Sequence, residues 1–343
     1  MSFIVYEKLF TAKAVKAGFS QDNIQKCLAY AKPLIDKGLP VIYNTANLCA
    51  LVGYNKNYLK RAALHTQFFY RKFFIRKRNG KARLIVEPLP SLKEIQLWIL
   101  HNILYEVKAS RYAKAYIKGR NIVDNVRYHR EKDIVLRIDI KDFFPSIGFS
   151  KIQLLFEQLG YSSNISNLLT KLCCVYETLP QGAPTSPYLS NLVLKNFDKR
   201  LAEFCVAKNI RYTRYADDLT FSFAKTIDPN EVRLFVENEL SKEGFSANPD
   251  KTQILTPNKR QIVTGIVVNK VLQIPKIDRK LIRQEMYYIS KFGLRDHMKK
   301  TQNTKASYLL HLLGKTNYAL QINPEDKEMK KYKAIIWQML NQE

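Results

Sequence analysis

The chain has 343 residues, enough for two or three packed subdomains, and 46% of them are hydrophobic, which excludes wholesale disorder. Lys and Arg number 56 against 30 Asp and Glu, a formal charge of +26 that exceeds what solubility needs and points to a polyphosphate partner. The five cysteines (Cys27, Cys49, Cys173, Cys174 and Cys205) lack metal-ligand spacing, no signal-peptide pattern opens the chain, and no apolar run approaches membrane-spanning length; these features predict a reducing, cytoplasmic setting without a membrane span.

Residues 1–65 read as an N-terminal helical extension. Its segments run from Asp22 to Ala31 with a break near Pro33 or Gly38, from Asn47 to Gly53, and from Tyr58 to Leu64. Phe73 to Arg78 and Lys81 to Val86 flank Asn79-Gly80, the signature of a two-residue hairpin turn. Arg76, Lys77, Arg78, Lys81 and Arg83 crowd this hairpin, which fits either a cationic finger over phosphates or an edge ribbon kept soluble by charge. Leu92 to Val107 predicts a helix, and residues 111–133 are basic and polar. Ile134 to Ile138 predicts a strand ending in Asp139. Ile152 to Leu159 and Leu168 to Tyr176 predict helices, and the rigid loop Leu179-Pro180-Gln181-Gly182-Ala183-Pro184 leads into a helix from Leu189 to Cys205.

Two strand-like runs, Ile210 to Arg214 and Leu219 to Phe223, bracket Tyr215-Ala216-Asp217-Asp218. Adjacent carboxylates repel unless a cation lies between them, and hard divalent cations favour carboxylate oxygens. With Asp139 at the mouth of another strand, three acids are available for two-metal phosphoryl transfer. Taken alone, Asp217-Asp218 also fits a polar turn. Beyond it lie a helix from Glu231 to Leu240 closed by Gly244, a loop carrying Lys251, a strand from Gln261 to Asn269 interrupted by Gly265, and basic helices over residues 275–343.

In this order, Asp139 with Phe143, Leu-Pro-Gln-Gly, Tyr-x-Asp-Asp and Lys251 make a specific combination, and the chain resembles a reverse transcriptase over about residues 70–270. Val263-Thr264-Gly265 matches the Val-Thr-Gly signature of the retron branch. Asn125-Val126-Arg127-Tyr128-His129 matches its Asn-Ala-x-x-His element, with Val126 replacing Ala.

The resemblance implies an α+β right-hand polymerase: fingers over residues 66–133 with parts of 148–185, an antiparallel palm sheet on helices over 134–270, and a helical thumb over 271–343. It implies that Asp139, Asp217, Asp218 and the Ile140 carbonyl hold two Mg²⁺ ions, which Mn²⁺ can replace. Lys77 and Arg83 correspond to cations gripping the triphosphate of a dNTP, with backbone N–H groups of Asp142 and Phe143 beside it. Phe144 corresponds to the gate under the incoming sugar, although it also fits the apolar core. Gln181 corresponds to the brace of the nascent base pair. Lys251 corresponds to the donor of a proton to pyrophosphate, although it also fits a solvated loop lysine. Asn125, His129, Val263, Thr264 and Gly265 correspond to RNA-contacting positions, and for His129 a core-satisfied role fits as well.

Retrons copy part of a structured noncoding RNA (msr-msd) from a branching guanosine 2′-hydroxyl. They yield a branched RNA–DNA hybrid (msDNA) and serve in antiphage defence with an accessory effector protein. The resemblance extends these partners to the chain, with no ribonuclease H domain expected. Two other readings stand beside it: another bacterial reverse transcriptase of group II intron or abortive-infection type, and an inert RNA-binding protein.

Overall fold

The computed structural model describes residues 2–76, 80, 82–302 and 307–341. They divide into two compact units, Met1–Lys118 with Ile140–Leu201 and Asn238–Ala247, and Gly119–Asp139 with Ala202–Glu237 and Asn248–Glu343. Helices and antiparallel strands share each unit, in agreement with the α+β expectation.

The first unit opens with helices Phe3–Lys16 and Gln21–Asp36. The second passes through Pro33 and stops before Gly38, whose φ of 74° ends the helix at little steric cost. Strands β1 (Tyr70–Arg76) and β2 (Ala82–Pro88) pair antiparallel from Tyr70↔Pro88 to Arg76↔Ala82. Lys77, Arg78, Asn79 and Lys81 lie outside the described residues, and with them the expected two-residue turn.

The Leu92–Val107 helix is an α-helix over Pro90–Ile99 that widens into a π-turn over Leu100–Leu104. A single helix was also expected from Leu189 to Cys205; instead Ser186–Val193 and Lys195–Ala207 are separate, with Leu194 at ψ 7° between them.

The loop before Ser186 packs onto β2. Val86 N–H donates to the Gln181 carbonyl at 2.9 Å. A Cβ at Gly182 would sit 2.8 Å from the Val86 carbonyl oxygen, and φ there is 139°, so only glycine fits.

The second unit is built on a four-stranded antiparallel sheet in the order β4-β5-β3-β6, with β3 Ile134–Asp139, β4 Arg211–Tyr215, β5 Asp218–Phe223 and β6 Gln253–Leu255. Alternation along the strands sorts the side chains. Ile138, Leu136, Leu219, Phe221 and Tyr212 share one face, where Tyr212 and Phe221 stack at 4.9 Å. Asp139, Arg137, Asp218, Thr220, Ser222 and Thr213 share the other.

The expected Gln261–Asn269 strand is instead a hairpin of β7 (Ile262–Val263) and β8 (Ile266–Val267). Thr264 and Gly265 both take positive φ (45° and 87°), so the glycine makes a tight turn and not an interruption of one strand. Helices Lys276–Phe292, Leu294–Lys300, Tyr308–Ile322 and Lys327–Leu340 complete the unit. Their apolar faces share a core with Val126, Val135, Val263 and Ile266.

Candidate active site

Asp139 and Asp218 are register partners at the open end of β3 and β5, and Asp217 occupies the turn between β4 and β5. The turn has two residues, and its first, Ala216, has φ 59°. A side chain in that region costs about 1–3 kcal/mol, so the surroundings must hold it. One support comes from Arg214, a fully buried arginine whose Nη1 donates to the Ala216 carbonyl at 3.2 Å.

Two cations answer the acids. Lys251 Nζ donates to Asp139 Oδ1 at 2.7 Å, from a loop pinned to the end of β3 by Asn248 N–H on the Asp139 carbonyl at 2.7 Å. Arg137 Nη2 donates to both oxygens of Asp218 at 3.1 and 3.0 Å. In the sequence Arg137 stands as a single charge inside an apolar run. Its signal was the period of two, which puts residues 137 and 139 on one face of β3.

Burial pushes the Asp217 carboxyl above its ordinary range, and the Asp139 charge adds to the effect. Burial also raises Asp218, while Arg137 pulls it back. Among the described residues, no group of three or more His, Cys, Asp and Glu side chains is arranged to hold a metal ion. Lys251 and Arg137 supply the positive charge beside the acids. The donor chemistry nevertheless fits a hard divalent cation: carboxylate oxygens on neighbouring strands, with two of the groups reluctant to ionise without further positive charge.

The expected nucleotide-binding residues belong to the first unit. Arg83 is exposed on β2, and Lys77 lies outside the described residues. Ile140 is buried and bridges to Ala247. Asp142 is exposed with φ 45°, and Ser146 N–H closes a turn on its carbonyl at 2.9 Å. Phe143 is core. Phe144 is half-buried, with its ring 5.3 Å from that of Phe143 and 6.3 Å from that of Tyr116. Gln181 is half-buried in the loop held on β2.

Asn125 and His129 depart from the expectation of RNA contact. Both are fully buried on the polar face of the β3–β5 sheet. His129 Nδ1 lies 2.8 Å from Ser222 Oγ, and its Nε2 lies 2.8 Å from Thr213 Oγ1. The Thr213 hydroxyl donates to Asn125 Oδ1 at 2.6 Å, and Asn125 Nδ2 donates to Thr264 Oγ1 at 3.3 Å. The physical reason is burial itself: polar groups in the interior must find partners, and these find one another. Val263 is buried as well, whereas Thr264 is half-buried and Gly265 exposed at the turn. A β-branched residue with positive φ is strained by about 1–3 kcal/mol, so Thr264 too needs support.

Residues 75–314 match the family described as reverse transcriptase (RNA-dependent DNA polymerase). The chain is 34% identical over 255 residues to the retron Ec86 reverse transcriptase of Escherichia coli, covering 74% of this chain and 80% of that one. It is 33% identical over 282 residues to the retron Mx162 reverse transcriptase of Myxococcus xanthus, covering 72% and 58%. With the retron Mx65 reverse transcriptase of the same organism it shares 30% identity over 328 residues, covering 89% and 74%.

Proposed function

The chain belongs to the retron reverse transcriptases, and from that premise we propose that it copies a structured noncoding RNA into branched msDNA by nucleotidyl transfer at Asp139, Asp217 and Asp218. It is an RNA-directed DNA polymerase of the α+β right-hand class. The observation that carries the site assignment is the register pairing of Asp139 with Asp218, with Asp217 adjacent in the turn. The similarity to retron enzymes favours this reading over an intron or abortive-infection enzyme. Three acids grouped at one sheet end speak against an inert RNA-binding protein.

Reverse transcriptases use divalent metal ions. Here Mg²⁺, or Mn²⁺ in its place, would be held by the three aspartates with the Ile140 carbonyl. When bound, such ions supply Lewis acidity at the attacking and leaving oxygens.

The protein's own residues orient and exclude. A primer hydroxyl releases its proton to solvent as its oxygen forms a bond to the α-phosphorus and the bond to the bridging oxygen of pyrophosphate breaks. Lys251, which donates to Asp139, would give the leaving group its proton. Arg137 keeps the Asp218 carboxylate aimed. Arg83 and Lys77 grip the triphosphate with the backbone N–H groups of Asp142 and Phe143, and Gln181 braces the new pair. Phe144 closes the space beneath the sugar. Charge placement and orientation carry most of the rate.

In this reading residues 66–133 act as fingers, 134–270 as palm and 271–343 as thumb, behind the N-terminal helices. The partners are the msr-msd RNA, its DNA product, dNTPs and an accessory effector in antiphage defence. Among the described residues no helix is long and apolar enough to cross a membrane.

Sequencing the nucleic acid that copurifies with the protein from its own host tests the proposal. One short structured RNA joined through a 2′ linkage to DNA is the expected result, and an Asp217→Asn strain should yield the same RNA without the DNA. Recovery of linear cDNA alone would overturn the branched-product reading.

A further inference from the structure

The hydrogen bonds around Asn125 can be ordered by counting protons. The Thr213 hydroxyl has one proton and gives it to Asn125 Oδ1. Its oxygen therefore accepts from His129, so that imidazole carries its proton on Nε2. Nδ1 is left to accept from the Ser222 hydroxyl. The chain runs in one direction, from Ser222 through His129, Thr213 and Asn125 to Thr264.

Its two ends have different characters. Thr213 and Ser222 sit on β4 and β5, the strands whose turn carries Asp217. Ser222, Thr220 and Asp218 follow one another on the same face of β5, so the chain begins two residue layers below the catalytic end. Thr264 sits in a turn whose first position favours asparagine or glycine over a β-branched residue. A donor from the protein interior to the Thr264 hydroxyl is what such a turn needs to stay fixed.

We propose that Asn125 and His129 are positioning residues: they hold the strained Thr264–Gly265 turn in register with the strands of the catalytic hairpin, and so act on RNA-primed initiation without touching RNA. The inference rests on the retron reading, which implies that Thr264 and Gly265 meet the cognate RNA. Two sequence elements 139 residues apart at their hydrogen-bonded pair, Asn125 and Thr264, thereby become one device.

Hydrogen exchange of the full-length protein, free of RNA, tests the positioning directly. Asn125→Ala and Thr264→Ala should each speed exchange of the 262–267 amides about tenfold, while the β3 amides stay protected. The double variant should be no worse than either alone. Both single variants should lose initiation on the cognate RNA, and Asn125→Ala, whose side chain is fully buried, should keep kcat for extending an annealed DNA primer. Thr264→Ala changes a half-buried turn residue, so it keeps the test open if Asn125→Ala does not fold.

Unchanged exchange alongside lost initiation would mean direct RNA contact and would overturn the proposal. Faster exchange with normal initiation would overturn the role of the turn in RNA recognition. Failure of the polymerase reading itself would show separately, as no primer extension by the wild type.

Discussion

Asp139 and Asp218 face each other across adjacent antiparallel strands, and each already has its own cation: Lys251 for the first and Arg137 for the second. Asp217, in the turn beside them, has its carboxyl raised by burial and by the charge of Asp139. The three acids therefore differ in how strongly they need an added positive charge.

Asp217→Asn should abolish DNA synthesis, leave RNA binding nearly unchanged, and raise the Tm. A carboxyl raised in the folded state favours folding below its unfolded pKa, and that advantage disappears as pH rises through the folded value. Near neutrality its charge therefore counts against the fold. Calorimetry in Mg²⁺-free buffer, paired with a primer-extension assay, checks both halves. A lower Tm would contradict the electrostatic account.

Arg137→Leu should cut synthesis by about 10–100-fold and shift the divalent-metal titration to higher concentration, since it leaves the Asp218 carboxylate unaimed. Arg137→Lys should recover only part, because an ammonium lacks the planar fork. Primer extension across a Mg²⁺ series distinguishes this from a folding defect, which would lower activity equally at every concentration.

Phe144→Ala should admit ribonucleotides more readily. Phe143 carries the core packing here and Phe144 is half-buried, so the substitution opens space at the surface more than in the interior. The ratio of kcat/KM for dNTP over rNTP is the measurement. An unchanged ratio would assign sugar selection to another residue.

Glu328 is pulled down to about 2, chiefly by its hydrogen bond from Arg283, with Arg279 assisting. A depressed carboxyl contributes stability above its unfolded pKa, and the contribution is lost as pH falls toward the folded value. Thermal melts at about pH 6 and about pH 3 should show a larger loss for the wild type than for Glu328→Gln. Equal losses would mean that the Arg283–Glu328 pair is fully screened by solvent.

Much of this was legible in the sequence because local chemistry wrote it there. Alternating strands, paired acids and a Pro-Gln-Gly loop announce themselves by composition and order. Arg137 was missed because a charge inside an apolar run reads as noise until the strand acquires a neighbour to set its register. The interior position of Asn125 and His129 was not legible for a related reason: their partners, Thr213, Ser222 and Thr264, lie 84 to 139 residues away. The Gly265 turn was misread because a glycine in a β-branched run fits a bulge as well as a hairpin, and only the pairing of Val263 with Ile266 separates the two.

The methyl group of Ala216 bears on attempts to engineer heat tolerance. Ala216→Gly would relax the φ 59° backbone and offers an obvious gain. The same relaxation would let the acidic tip wander between turnovers, trading fidelity of aim for robustness. A designer should leave that tension in place and look for stability elsewhere.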